Sequence, residues 1–426
     1  MHILSGLSFL GADMRVAIIG GGVVGLTTAY ALINKGYQVD LFEQRDAVGM
    51  ETSFANGGQL SYRYVTPLAD AGVPLQALRW MLKKDAPLRF QPRINPEQWR
   101  WCLRFLLACR SSVNQSNTAH LLRLALYSQT ILRDWRERDG LDGFSWRANG
   151  KLVVYRDSAS LNKAARNTGE PSSQKILDSR QCVETEPALA SLEPQLQGGI
   201  FSPGDEVGDC YQFCQQLLQR LHGHAGFRLH SGKPVSKLCL ERGQIRALSL
   251  PDGDVDVEHL VVAAGIGSAA LLRPLGLKVS LYPLKGYSLT LPVTDHVTVP
   301  ETNVTDYDRK IVYARLGDQL RVAAMVDIGD WSTELDARRI ASLRRQAQSC
   351  FPLAGDYQSA TAWAGLRPAT PEGTPLLGGC GINNLWLNLG HGSLGFTLAC
   401  GSAAVLTNLI SGEHTDISLE GMQLAS

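Results

Sequence analysis

The chain contains no Cys-x-x-Cys pair and no Cys/His group at metal-ligand spacing. Its nine scattered cysteines are therefore read as reduced thiols of a cytoplasmic protein, not as a zinc or disulfide framework. Cys210 and Cys214 stand one helical turn apart, but nothing nearby completes a ligand set, and no metal is expected. Net charge is also missing. Lys+Arg 41 against Asp+Glu 40 leaves +1, which excludes a nucleic-acid binder that relies on overall basic charge. No apolar run reaches the roughly 18 residues of a membrane span. The opening MHILSGLSFLGAD has neither a basic start nor a small-residue cleavage site, so residues 1–13 read as a loose extension and not as a signal peptide. Fixed-period repeats and low-complexity tracts are absent as well, which sets aside solenoids and linkers. What remains is a globular composition, 426 residues at 44% hydrophobic, large enough for two or three domains.

Strand and helix patterns alternate from Met14 onward. Arg15 to Gly20 reads as a buried strand, Val24 to Asn34 as a helix and Gln38 to Glu43 as a second strand, which together predict a βαβ unit on a parallel sheet. A mostly helical region follows from Leu75 to Gly140, with Asn95 placed to cap a helix that begins at Pro96. Strand-like runs at Lys151–Arg156, Tyr282–Pro292, Lys310–Ala314 and Gln319–Val326 predict an antiparallel sheet. Asp209–Leu221 reads as a helix and His259–Ala264 as an apolar strand ending at Gly265. The expected fold class is α/β: a Rossmann-like cofactor domain interrupted by an α+β substrate domain. The expected division gives 14–65, 175–280 and 368–415 to the first, and 66–174 and 281–367 to the second.

Gly20-Gly21-Gly22-Val23-Val24-Gly25 lies between that first strand and helix, the context in which a Gly-x-Gly-x-x-Gly run is informative. Gly20 permits the tight turn, Gly22 admits a pyrophosphate to the backbone, and Gly25 lets helix and strand pack closely. Glu43 follows 18 residues after Gly25, where its carboxylate can accept the hydroxyls of an adenosine ribose and repel a ribose phosphate. This fixes a dinucleotide without choosing between FAD and NAD. Three further glycine-rich or small-residue segments favour the longer FAD: Glu51-Thr-Ser-Phe-Ala-Asn-Gly-Gly-Gln59, Val261-Val-Ala-Ala-Gly265 and the Gly390-His-Gly392 turn that opens a helix at Gly395.

Taken together with Tyr282-Pro-Leu-Lys-Gly-Tyr-Ser288, Gly365-Leu-Arg-Pro-Ala-Thr-Pro-Glu-Gly-Thr-Pro375 and Asn388-Leu-Gly-His-Gly-Ser-Leu-Gly395, these segments resemble the bacterial FAD-dependent D-amino-acid dehydrogenases of small-subunit type. That family sits in the larger group of D-amino-acid, glycine and sarcosine oxidases, and the resemblance runs from Met14 to about Gly412. It implies non-covalent FAD held by Val16, Gly20, Gly22, Val23, Val24, Gly25, Glu43, Gln44, Arg45, Thr52, Ser53, Asn56, Gly57, Gly58, Gln59, Val235, Ala264, Gly265, Gly390, His391, Gly392, Leu394 and Gly395. The implied reaction is oxidative deamination of a D-amino acid by hydride transfer to flavin N5. Arg367 is expected to hold the substrate carboxylate with its planar fork, Tyr287 and Tyr313 to assist it, and His391 to pack by the ring. The chain differs from the family's usual pattern at Pro67-Leu68 and Ala71-Gly72, so substrate range is the least directly implied property. A secondary-amine oxidase acting on D-proline, hydroxyproline, sarcosine or glycine is the enzymatic alternative, and an electron-relay flavoprotein subunit the non-enzymatic one.

Between Leu75 and Arg110 stand eight Lys or Arg (Arg79, Lys83, Lys84, Arg89, Arg93, Arg100, Arg104, Arg110) against Asp85 and Glu97. Trp99, Cys102, Leu103, Leu106 and Leu107 share one apolar stripe of the helix after Pro96. A basic helix of this kind suits the anionic inner face of the cell membrane. With the resemblance, it leads to the expectation of peripheral attachment there and of a quinone or respiratory-chain electron acceptor.

Overall fold

A computed structural model describes residues 14–81, 85–168, 173–294 and 297–424. The expected extension at 1–13, together with Lys83, Lys84 and the Arg79 side chain, lies outside the described residues.

Arg15–Ile19, Val23–Asn34 and Gln38–Phe42 form the predicted βαβ start, with both strands parallel and adjacent. They sit in a six-stranded sheet ordered Leu376–Gly379, Leu385–Leu389, His259–Val262, Arg15–Ile19, Gln38–Phe42, Phe227–His230, parallel except at the Leu376–Gly379 edge. Alternation along the first strand divides its side chains between two cores. Val16 and Ile18 pack against the helices Val23–Asn34, Ser111–Asp139, Cys210–His222 and Gly395–Ile410. Ala17 and Ile19 pack under a three-stranded antiparallel sheet, Lys237–Glu241, Gln244–Leu250 and Gly253–Asp256. The apolar run Gly392–Ile410 is long enough to cross a bilayer, contrary to the sequence count, but 67% of it is buried inside the fold, which explains its composition.

The second sheet has nine strands. Thr361–Ala369, Tyr282–Pro292, Gln319–Ile328, Ile311–Leu316 and Asn303–Asp306 pair antiparallel in that order. It is not purely antiparallel as expected: Lys151–Tyr155 joins Asn303–Asp306 in parallel, as Leu88–Phe90 joins Gln319–Ile328. Helix Ala337–Cys350 covers its back.

Two stretches fall differently from the expected domain division. Lys175–Leu177 and Gly198–Ser202 are strands of the large sheet, although 175–280 was expected with the cofactor domain. Ser111–Asp139 buries Leu121, Leu124 and Leu132 against the cofactor-domain helices, although 66–174 was expected with the substrate domain. Both follow from which apolar faces find each other, which local patterning does not encode. The cap at Asn95 is present, its Oδ1 accepting the Glu97 N–H at 2.9 Å.

Candidate active site

A cavity of about 930 Å³ is lined by residues of both sheets, near the upper end of the range for small-molecule sites. One end is the phosphate loop. Gly20 has φ +113°, and a Cβ there would come within 2.5 Å of the Ala263 carbonyl oxygen. A Cβ on Gly25 would overlap the Gly20 carbonyl oxygen, so this glycine shapes the loop from behind without lining the cavity. At Gly22 an added Cβ meets nothing nearer than Ser53 Oγ at 3.5 Å, so a side chain there would stand in the cavity itself. No side chain caps the helix at Gly22, although Ser53 Oγ accepts the Val23 N–H at 3.0 Å. Glu43 closes this end, accepting the Gly21 and Arg45 N–H groups at 2.7 and 2.8 Å, and burial raises its pKa. Val24, Gln44, Arg45 and Val235 line the same end. Val16 does not. Its position in the strand turns it into the helix-side core, which corrects the expectation that it touches the cofactor.

The segment Thr52–Gln59 ties this end to the large sheet. Thr52 Oγ1 donates to the Leu366 carbonyl at 2.6 Å, and Asn56 Oδ1 accepts the Gly58 N–H at 3.0 Å. Gly57, Gly58 and Gln59 line the cavity, as do Ala264 and Gly265 beyond the strand His259–Val262. At the far end Gly390 and Gly392, with φ +83° and +55°, turn the chain into the uncapped helix start, where Leu394 and Gly395 also line the cavity. His391 is buried and its Nε2 meets Ser402 Oγ at 3.0 Å. Burial lowers its pKa to about 3, so the ring is neutral at physiological pH.

Arg367 lines the cavity from the edge strand Thr361–Ala369. Its Nη1 donates to the Met325 carbonyl at 3.0 Å, and burial pushes its pKa down to about 10, leaving it charged. Among the described residues no carboxylate pairs with it. The nearby buried Asp327 is occupied by Arg89, by Arg339 at 2.7 Å and by the Tyr287 hydroxyl at 2.8 Å. Gly286 makes the space: a Cβ there would overlap the Arg367 guanidinium. A half-buried fork without an anion is what a carboxylate ligand requires.

One of the two tyrosines is corrected. Tyr313 lies on a strand expected to face the cofactor, but its side chain is buried in a core with Leu289, Leu320 and Phe351 and it does not line the cavity. Tyr287 does line the cavity, with Gly286, Ser288 and Val312, and its hydroxyl is held by Asp327 at 2.8 Å. Two cavity residues had gone unnoticed in the sequence. Lys151 is buried with Nζ 2.7 Å from Gln59 Oε1 and 2.8 Å from Ser61 Oγ, and burial lowers its pKa. Lys310 also lines the cavity. Neither belongs to a recognisable motif; the only signal is a lysine where the strand pattern calls for an apolar residue.

A glycine cradle, a carboxylate at the end of the second strand and two uncapped helix starts on one long cavity fit a dinucleotide. The profile of the family described as FAD dependent oxidoreductase matches residues 15–409. The chain belongs to the FAD dependent oxidoreductase family. It is an oxidoreductase whose cofactor is FAD. Among curated relatives, it is 54% identical over 408 residues to D-amino acid dehydrogenase 2 of Pseudomonas aeruginosa, covering 96% of this chain and 97% of that one. It is 42% identical over 410 residues to D-amino acid dehydrogenase 2 of Ralstonia nicotianae, covering 93% and 96%. In fold it is similar to glycine oxidase from Geobacillus kaustophilus, with TM-score 0.73, 22% identity, and 97% and 99% of the two chains covered. L-proline dehydrogenase from P. horikoshii superposes with TM-score 0.75 at 16% identity, covering 97% of each chain. At these identities the solved structures establish the fold alone.

Proposed function

We propose that this oxidoreductase deaminates D-amino acids to 2-oxo acids and ammonia, with Arg367 as the carboxylate clamp. The carrying observation is the Arg367 guanidinium, enclosed on the cavity and without a carboxylate partner among the described residues. The D configuration is supported by the names of the curated relatives. FAD, when bound, accepts the hydride that leaves the substrate Cα. Arg367 orients that carbon by two parallel hydrogen bonds to the carboxylate, and the helix start at Gly392–Gly395 stabilises negative charge at the same end of the cavity. His391, the one histidine among the described lining residues, is too weak a base with a pKa lowered to about 3, the Tyr287 hydroxyl is held by Asp327, and Tyr313 lies off the cavity, so no general base is assigned. Substrate amine enters unprotonated, and water hydrolyses the released imino acid. Anaerobic addition of D-alanine to the yellow holoenzyme is expected to bleach it, and L-alanine is not. A protein that stays yellow with every D-amino acid would end this reading.

We further propose peripheral attachment to an anionic membrane face and a quinone acceptor. Helix Pro96–Ala108 packs inward through Gln98, Trp101, Phe105 and Ala108 and presents Trp99, Leu103, Leu106 and Leu107 outward, with Leu103 61% exposed. Exposed Arg100 and Arg110 flank that face, whereas Arg104 pairs with Glu372 at 2.8 Å and Arg89 with Asp336. Leu68 and Trp331 are exposed and also line the cavity, which supports access from the same side. A patch of this kind supports docking to a bilayer.

A further inference from the structure

The cavity carries more positive charge than one amino-acid carboxylate explains. Its lining acids are Glu43 and Glu51, and Glu43 closes the phosphate-loop end while Glu51 pairs with Arg45 beside it. Beyond that end the charged lining residues are Arg367, Lys151 and Lys310. Arg367 has its role above. Lys151 is satisfied by Gln59, Ser61 and the face of Tyr64, 4.5 Å from the ring centroid.

Lys310 is different. Its Nζ lies 3.3 Å from the Tyr307 ring centroid, and among the described residues it makes no ion pair or side-chain hydrogen bond. The acids around it are engaged elsewhere. Asp70 holds Lys163 at 2.9 Å, Asp308 accepts the Arg156 N–H at 2.7 Å, and Asp306 holds the Arg156 guanidinium at 2.9 Å. Burial lowers the Lys310 pKa to about 8, offset only in part by the neighbouring Asp308 and Asp70 carboxylates.

Backbone geometry brings the Lys310 segment to the strand that anchors the carboxylate clamp. Ile311 and Ala324 are the last ladder pair of strands Ile311–Leu316 and Gln319–Ile328. Lys310 and Met325 stand immediately beyond them, both in the left-handed region, φ +56° and +69°. The Met325 carbonyl is the one that accepts Arg367 Nη1. Two non-glycine residues in that conformation at one cavity wall fit a position kept for function.

We propose that Lys310 binds a second carboxylate, so that short dicarboxylic D-amino acids are the preferred substrates of this site. The proposal rests on the deamination reading above. Arg367 takes the α-carboxylate and Lys310 the side-chain carboxylate, which fixes the substrate at both ends and leaves Cα between them. A neutral side chain leaves the ammonium unpaired, and a site built around a polar partner discriminates against such a ligand.

The test uses the FAD-loaded enzyme and anaerobic flavin reduction. D-glutamate is expected to exceed its neutral isostere D-glutamine in kcat/KM by at least about tenfold. Lys310→Gln should bring that ratio close to one and Lys310→Arg should keep it above one, with FAD content and Tm measured to confirm folding. A binding readout is independent of turnover: glutarate should raise the Tm of the wild-type protein more than butyrate does, and Lys310→Gln should lose the difference. A wild-type ratio at or below one, an unchanged ratio in Lys310→Gln, or equal Tm shifts for glutarate and butyrate would overturn the proposal. Flavin reduction by D-alanine with no preference for D-glutamate defeats only the Lys310 assignment. Absence of reduction by any D-amino acid defeats the deamination reading beneath it.

Discussion

Gly286 and Arg367 occupy adjacent strands, and the Arg367 guanidinium fills the space that a side chain at Gly286 would take. The clamp therefore depends on a residue that need not touch substrate. Gly286→Ala is expected to displace the guanidinium and raise KM for amino acids at least about tenfold, about 1.4 kcal/mol, while FAD remains bound. Titrating flavin bleaching against substrate concentration checks this; an unchanged KM would mean that the fork does not hold the carboxylate.

Replacing Arg367 by Lys keeps the charge but loses the two-pronged geometry. The expected fall in kcat/KM is at least about tenfold, again about 1.4 kcal/mol. Unimpaired oxidation in Arg367→Ala would move the clamp elsewhere.

The phosphate-loop glycines separate folding from cofactor binding. Gly25→Ala places a methyl against the Gly20 carbonyl and should yield little folded protein. At Gly22 an added Cβ meets only Ser53 at ordinary contact distance, so Gly22→Val is expected to fold yet be colourless, because its side chain enters the pyrophosphate space. Acid precipitation of the wild type is expected to release all flavin into the supernatant. A Gly22→Val protein that retains its yellow colour would contradict the loop assignment.

His391 gives a pH signature. Its folded pKa, about 3, lies below its ordinary value of 6.5, so the unfolded chain binds the extra proton first on acidification. Stability from the neutral ring is present above pH 6.5 and is lost as pH falls from there toward 3. Urea unfolding across that window should show a shallower pH dependence in His391→Gln than in the wild type. An equal slope would show that the ring is not held neutral.

The outward face of helix Pro96–Ala108 is testable separately. Leu103→Glu with Leu106→Glu should abolish sedimentation with anionic vesicles at low salt and leave FAD content unchanged. Vesicle binding that survives both changes would exclude this face, and full-rate turnover in air with stoichiometric peroxide would exclude the quinone preference.

Local signals were legible wherever chemistry constrains the backbone directly. The glycines at 20, 22 and 25 and the Asn95 cap were readable because each answers to its immediate neighbours. Arg367 was readable only through the resemblance of the residues around it. Tyr313 was misplaced because a period-two strand has two faces, and sequence does not say which one meets the cavity when both are buried. Lys310 was missed because its significance arises from Met325 and Arg367, 15 and 57 residues away along the chain. The outward turn of Trp99 and Leu103 has a similar cause: the helix carries a second apolar face at Trp101 and Phe105, and tertiary packing selected that one.

The most direct measurement of the deamination chemistry is anaerobic reduction of the enzyme-bound flavin by a D-amino acid carrying deuterium at Cα. Bleaching should be slower than with the protonated substrate, with one 2-oxo acid and one ammonia released per flavin reduced, and the L-enantiomer should leave the spectrum unchanged. Bleaching at the same rate with both isotopologues, or products that lack the 2-oxo acid, would contradict hydride transfer from a carbon held by Arg367.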